Sequence, residues 1–222
     1  MTNIVVVAPH PDDETLGVGG TLLKHQSQGD GIHWLIVTAM TPERFDASRM
    51  ARRDKEIDAV AAAYRFNSVT NLGYPTAQLD RAPQDELIGA IGAAVSKLKA
   101  DTLYLPHPAD AHSDHHAVFR AAAAATKWFR YPSVKRILAY ETVSETNFSL
   151  SPDRVAFAPT SYVDISSWLE RKIEIMRLFE CELGEHPFPR SEAAIRALAT
   201  LRGSEAGCVA AEAHMLLKEI VS

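Results

Sequence analysis

The run Ile4-Val5-Val6-Val7-Ala8 is apolar at every position, so as a strand it has no face to give to water. A strand of that kind belongs in the middle of a parallel sheet, covered on both sides. The later apolar runs of strand length are separated by windows with helical spacing. Strands are predicted over 4–8, 33–39, 69–72, 102–105 and 134–141, and helices over 16–28, 49–64, 84–99 and 117–129. Met50, Ile57, Val60 and Ala61 fall on one stripe of the second helix, and Leu87, Ile88, Ile91 and Val95 on one stripe of the third. This alternation predicts an α/β fold, a Rossmann-like doubly wound, mostly parallel sheet with right-handed crossovers. Beyond it, 144–159 is polar and carries Pro152 and Pro159, which predicts a long loop. A further short strand is predicted over 162–165. Helices over 167–182, 193–201 and 206–220 would form a C-terminal helical layer. Residues 1–222 read as a single domain.

Composition excludes several classes. Of 222 residues, 46% are hydrophobic, as in a globular chain, and the net charge of −5 offers no basic surface for nucleic acid. No apolar stretch is long enough for a membrane span. The N-terminus lacks the basic start and long apolar core of a signal peptide. Cys181 and Cys208 form no CxxC pair, which predicts reduced, buried thiols in a cytoplasmic protein.

The first strand runs into "APHPDDE", an imidazole followed by three acids. Adjacent like charges repel and need a cation, a proton or water beside them. The fourth strand runs just as directly into "HPADAHSDHHA". In the strand order 3-2-1-4-5, strands one and four are neighbours, and ligands bind outside their carboxyl ends. The two clusters would then face each other, bringing together His10, Asp12, Asp13, His112, Asp114, His115 and His116. Two imidazoles and a carboxylate suit a divalent transition metal such as zinc, and three protein ligands leave a position for water.

Blander readings cover part of this. Acids favour helix N-termini, which accounts for Glu14 but not for His10 and a second cluster. His116 adjoins His115 on a helix and faces another way. His25, His33, His107, His186 and His214 read as surface or core histidines. Arg53 has Glu56 one helical turn away as a ready partner. Gly17-Val18-Gly19-Gly20 lies too far past the strand for a dinucleotide fingerprint, whose third glycine is Leu22 here. A phosphoacceptor domain would leave His10, His112 and His115 idle.

"HPDDE" after the first strand together with "HSDHHA" resembles the PIG-L/LmbE-like family of zinc-dependent de-N-acetylases. "RRDKEIDAVAAAYRF" is similar to that family's RxxE-bearing helix and "NLGYP" to its Leu-Gly-Tyr-Pro step. "RGSEAGCVAAEAH" is similar to its terminal element, with His214 where Phe is usual. The resemblance implies His10, Asp13 and His115 as metal ligands. It implies Asp12 as general base and His112 as oxyanion stabiliser and acid. Asp114 would orient and polarise an imidazole and favour its charged form. Arg53 and Glu56 match positions tied to the substrate pocket, and Glu141, at the end of the fifth strand, would line it. Asp110 belongs to the second motif without an assigned role. The implied reaction removes an N-acetyl group from an N-acetylglucosamine-type small molecule. A non-sugar amide is the alternative substrate. Such relatives often assemble, so a homo-oligomer is an expectation.

Overall fold

A computed structural model describes residues 2–150 and 156–221. Seven strands form one sheet in the order β3-β2-β1-β4-β5-β7-β6. The parallel part is β1 (Asn3–Ala8), β2 (Gly31–Ala39), β3 (Ser68–Pro75), β4 (Thr102–Pro106) and β5 (Arg136–Tyr140). It realises the predicted 3-2-1-4-5 order. The helices between them are α1 (Asp13–Ser27), α2 (Ala47–Tyr64), α3 (Gln84–Leu98) and α4 (Ser113–Ala124). The helix predicted over 117–129 starts earlier and stops earlier, leaving Trp128 and Phe129 exposed beyond its end.

Strand alternation divides the core into two layers. Ile4, Val6 and Ala8 point to the side of α1 and α2, where Leu16, Leu22, Val60 and Tyr64 meet them. Val5 and Val7 point the other way, against Leu87, Ile91 and Val95 of α3 and Val118 and Ala121 of α4. The uniformly apolar first run is thus explained by cover on both faces.

The C-terminal region departs from expectation. The helix predicted over 167–182 is present in part as α5 (Leu169–Met176), and the one predicted over 193–201 lies within the longer α6 (Glu192–Ala206). The helix predicted over 206–220 is instead strand β7 (Ala211–Glu219). Gly207, with φ of 74°, stops α6 in the left-handed conformation. "AEAHMLLKE" has helix-favouring composition, but it lies antiparallel between β5 and β6 (Ser161–Asp164), where paired neighbours on both sides outweigh propensity. The layer is therefore two helices over an extended sheet. The loop expected over 144–159 contains a short 3-10 turn, Thr146–Phe148, and part of it lies outside the described residues. Both cysteines are free as expected, but Cys181 is exposed and Cys208 only half-buried.

α1 is broken at Val18, whose φ of −137° is not helical. The backbone groups released there are taken up by two buried, oppositely charged side chains. The Gly20 amide, which in a continuous helix would donate to the Leu16 carbonyl, donates to Glu212 of β7 at 2.8 Å. The Thr21 amide donates to the same carboxylate at 2.7 Å. The Leu16 carbonyl accepts from Lys172 of α5 at 2.8 Å, and Lys172 and Glu212 meet at 2.7 Å. The ion pair is spliced into the helix. Glu212→Ala should therefore cost about 3–5 kcal/mol of stability, as breaking a buried pair does. Replacing both Lys172 and Glu212 by Met should remain destabilising by denaturant titration, because the backbone groups stay unpaired. A neutral double variant would refute the splice.

His214, on β7, is fully buried and both its ring nitrogens lack a hydrogen-bond partner. It packs 5.1 Å from the Tyr104 ring. Burial pushes its pKa down to about 4. The unfolded chain, near ~6.5, binds the proton first, so stability is complete above that pH and is lost as pH falls towards ~4. His214→Phe should flatten the acid side of the stability–pH curve in that window. Parallel curves for the two proteins would exclude His214 as a source of the slope.

Candidate active site

The loop after β1 and the start of α4 after β4 meet at the carboxyl edge of the sheet. Thr38 of β2 holds the first loop by donating through its hydroxyl to the Pro9 carbonyl at 2.7 Å. Asp13 Oδ2 then lies 3.4 Å from His10 Nδ1 and 3.3 Å from His115 Nε2. One ligand atom from each of these three residues falls within 4.8 Å of the others. Apart from the Asp13 carboxylate at 3.3 Å, buried His115 Nε2 meets no hydrogen-bond partner among the described residues, which fits a metal ligand better than a packed core histidine.

Each imidazole is oriented from behind by a carboxylate. His115 Nδ1 donates to Asp110 Oδ2 at 2.7 Å, and His10 Nε2 to Asp114 Oδ2 at 3.0 Å. Such partners fix the ring nitrogen presented to a metal. Asp114 is itself held by the amides of Ala77 and Leu79 at 2.6 and 3.0 Å. The site also attracts positive charge. Burial opposes a charged His10, yet its bonds to Asp114 and Asp13 outweigh this and raise its pKa to about 9. His115 is raised despite burial by Asp13 and Asp110. Asp13 is held below the usual carboxylate range, against burial, by His115 and His10. The charge that the carboxylates demand is met by protons that a divalent cation can replace.

Asp12 sits beside this set with φ of 144°, a strained backbone for a residue with a side chain. Its amide donates to Glu14 Oε2 at 3.0 Å, and Glu14, fully buried, also accepts from the Thr15 hydroxyl at 2.6 Å. Burial lifts the Glu14 pKa to about 8. Burial, then the charges of Asp13 and Glu182, push Asp12 well above its ordinary value.

His112 lines the same cavity, its ring 4.5 Å from that of His10. The expectation of an Asp114-stabilised imidazolium is corrected here. The Asp114 amide donates to His112 Nδ1 at 3.1 Å, so Nδ1 is an acceptor and the proton sits on Nε2. The Asp114 carboxylate is spent on His10. Burial and the charge of His10 push the His112 pKa down to about 4. In this arrangement the His112 ring is neutral.

The cavity has a volume of about 270 Å³. Asp12, Asp13 and His112 line it, together with the apolar Met40, Phe45 and Met50. Arg53 lines it as expected, but Glu56 and Glu141 do not. Glu56 lies behind Arg53, 3.3 Å from its Nε. Glu141 forms a two-pronged pair with Arg202 of α6, both contacts at 2.8 Å. Side chains alternate at a strand end, and it is Thr142 that reaches the cavity. His116 bonds the Asp110 carbonyl and stands outside the ligand set, as do His25 and His33, which pair with Asp30 and Ser68. Spacing gave no sign of three contributors. Asp110 was recoverable from the rule that a ligating histidine has a carboxylate behind it. Glu182 and Arg190 reach the cavity from the irregular chain between α5 and α6, where no periodicity marks them.

The sequence and the fold have known counterparts. Residues 5–126 match the family described as "PIG-L: GlcNAc-PI de-N-acetylase", and the chain belongs to that family. It is 26% identical over 162 residues to a 1D-myo-inositol 2-acetamido-2-deoxy-alpha-D-glucopyranoside deacetylase of Rhodococcus erythropolis, covering 58% of this chain and 55% of that protein. It is 22% identical over 214 residues to the diacetylchitobiose deacetylase of Thermococcus kodakarensis, covering 92% of this chain and 79% of that one. The conserved protein TT1542 of Thermus thermophilus superposes with a TM-score of 0.80 at 25% identity, over 100% of this chain and 97% of its own. The chain thus spans little more than half the length of the Rhodococcus protein. No described helix is long and apolar enough to cross a membrane.

Because His10 rests near 9 without metal, loading the site at lower pH must expel its proton. Zinc titrated by calorimetry in buffers of different ionisation enthalpy should show release of at least one proton, with affinity rising as pH rises. Asp110→Ala should weaken zinc about 10–100-fold by freeing the His115 ring. Unchanged affinity would remove Asp110 from the site.

Proposed function

We propose that this chain is a zinc-dependent hydrolase that removes the N-acetyl group from an N-acetylglucosamine-type substrate, releasing acetate and a free amine. The observation that carries this reading is the His10–Asp13–His115 set, with Asp13 and His115 buried, at a cavity that His10 and Asp13 line beside Asp12 and His112. The names of the Rhodococcus and Thermococcus relatives, both deacetylases of acetamido sugars, support the substrate class. A volume of about 270 Å³ lies near the low end of small-molecule sites, which suits a single sugar ring and its acetamide.

His10, Asp13 and His115 would hold the metal. Bound there, zinc supplies a Lewis acid that polarises the amide carbonyl and acidifies water. Asp12 accepts a proton from the attacking water. Burial raises its pKa, which makes it a stronger base for taking that proton, and the same group then returns it. The returned proton goes to the amide nitrogen as the C–N bond breaks, so the amine leaves neutral. His112, neutral with its proton on Nε2, donates to the carbonyl oxygen as negative charge builds there. This gives His112 the oxyanion role without that of an acid. The step balances: one water and one acetamide give one acetate, one neutral amine and one proton released to solvent.

Acetate release from a panel of N-acetylated sugars, with zinc supplied, tests the activity. Release only from non-sugar amides would move the substrate class. Asp12→Asn should keep zinc and lose about 10²–10⁴-fold in kcat. His112→Ala should lose about 10²–10³-fold, the usual effect of deleting an oxyanion donor. His112→Gln, which donates but cannot act as an acid, should recover much of that loss. If Gln were as inactive as Ala, His112 would be the acid after all.

A further inference from the structure

Each nitrogen of the Arg53 guanidinium meets a partner within the protein. Its Nη1 donates to the Pro11 carbonyl at 2.9 Å, its Nη2 pairs with Glu182, and its Nε lies 3.3 Å from Glu56. Its flat face lies 5.5 Å from the Phe179 ring. The Pro11 carbonyl and the Asp12 amide belong to one peptide group. Arg53 grips its oxygen and Glu14 its N–H, at 2.9 and 3.0 Å. That plane sets φ of Asp12, which stands at 144°. A backbone so strained costs about 1–3 kcal/mol and persists only where its surroundings over-determine it.

Glu182 completes the brace. One oxygen meets Arg53, and the other accepts from Arg190 Nη2 at 3.1 Å. Arg190 Nε also bonds the Glu182 carbonyl at 3.0 Å, and its Nη1 bonds the Ser144 hydroxyl at 3.1 Å. The chain between α5 and α6 is thereby tied to α2 on one side and to the loop after β5 on the other.

We propose that Arg53 and Glu182 are positioning residues, a coupled pair that pins the Pro11–Asp12 peptide and so aims the Asp12 carboxylate. This rests on the deacetylase reading only in naming the base. The geometry of the brace stands apart from it.

The test has two readouts. Amide hydrogen exchange of a peptide spanning 8–16 reads the pinned plane without any substrate. Arg53→Ala and Glu182→Ala should each speed exchange there, and the double variant should exchange no faster than Arg53→Ala alone. Steady-state kinetics of acetate release from an N-acetylglucosamine derivative reads the consequence. Glu182→Gln, which keeps the shape, should lower kcat about 10–100-fold with KM little changed, the effect of a small misplacement of a reacting group. In the Arg53→Ala background the same substitution should have no further effect, the mark of two residues acting as one. Arg53→Lys, a point charge that cannot span all three partners, should rescue little. A rise in KM at constant kcat would make Arg53 a substrate contact and overturn the proposal. So would independent, multiplicative effects, or exchange unchanged from wild type. If wild-type protein released no acetate from any sugar, the deacetylase reading would fall, and the exchange data would still decide this one.

Discussion

Asp13 joins two parts of the chain that the sheet only brings near. Its carboxylate faces His10 from the loop after β1 and His115 from the start of α4, so a buried charge ties the carboxyl ends of two neighbouring strands. Such a charge is tolerated only when paired and hydrogen-bonded. That requirement propagates outward. The imidazoles need Asp110 and Asp114 behind them, and Asp114 needs the amides of Ala77 and Leu79. The residues that would carry chemistry, Asp12 and His112, are then placed by what the ion cluster demands of its neighbours.

Much of this was written in local patterns. The two-sided apolar run of β1 and the helical stripes of α2 and α3 pointed to the parallel core, and the common 3-2-1-4-5 order, assumed from the sequence and realised in the sheet, placed both His/Asp clusters at one edge. What escaped was whatever depends on distant partners. β7 has the composition of a helix, and only β5 and β6 on its flanks make it a strand. Glu141 follows β5 at the site's edge but turns to Arg202, a choice of face that a one-residue shift would reverse. Glu182 and Arg190 sit in irregular chain, where sequence carries no period to announce a role.

The charge state of His112 shows how little a residue type says by itself. An imidazole two positions from an aspartate suggests a pair. Here the aspartate's backbone, not its carboxylate, faces the ring. The motif spacing is the same in either case, and the chemistry changes from proton donor acid to neutral hydrogen-bond donor.

Glu212 bonds Gly20 across 192 residues of chain. α1, the helix that carries Asp13 at its first turn, is therefore finished by a strand from the far end of the sequence. Contacts of such separation close slowly, because the intervening chain must first give up its freedom. During synthesis the N-terminal elements emerge first. The parallel core can assemble while α1 still lacks its splice, so the loop that is made earliest is among the last to become rigid. Until β7 slots between β5 and β6, a nascent chain would hold its histidines and aspartates in a site with one wall still moving.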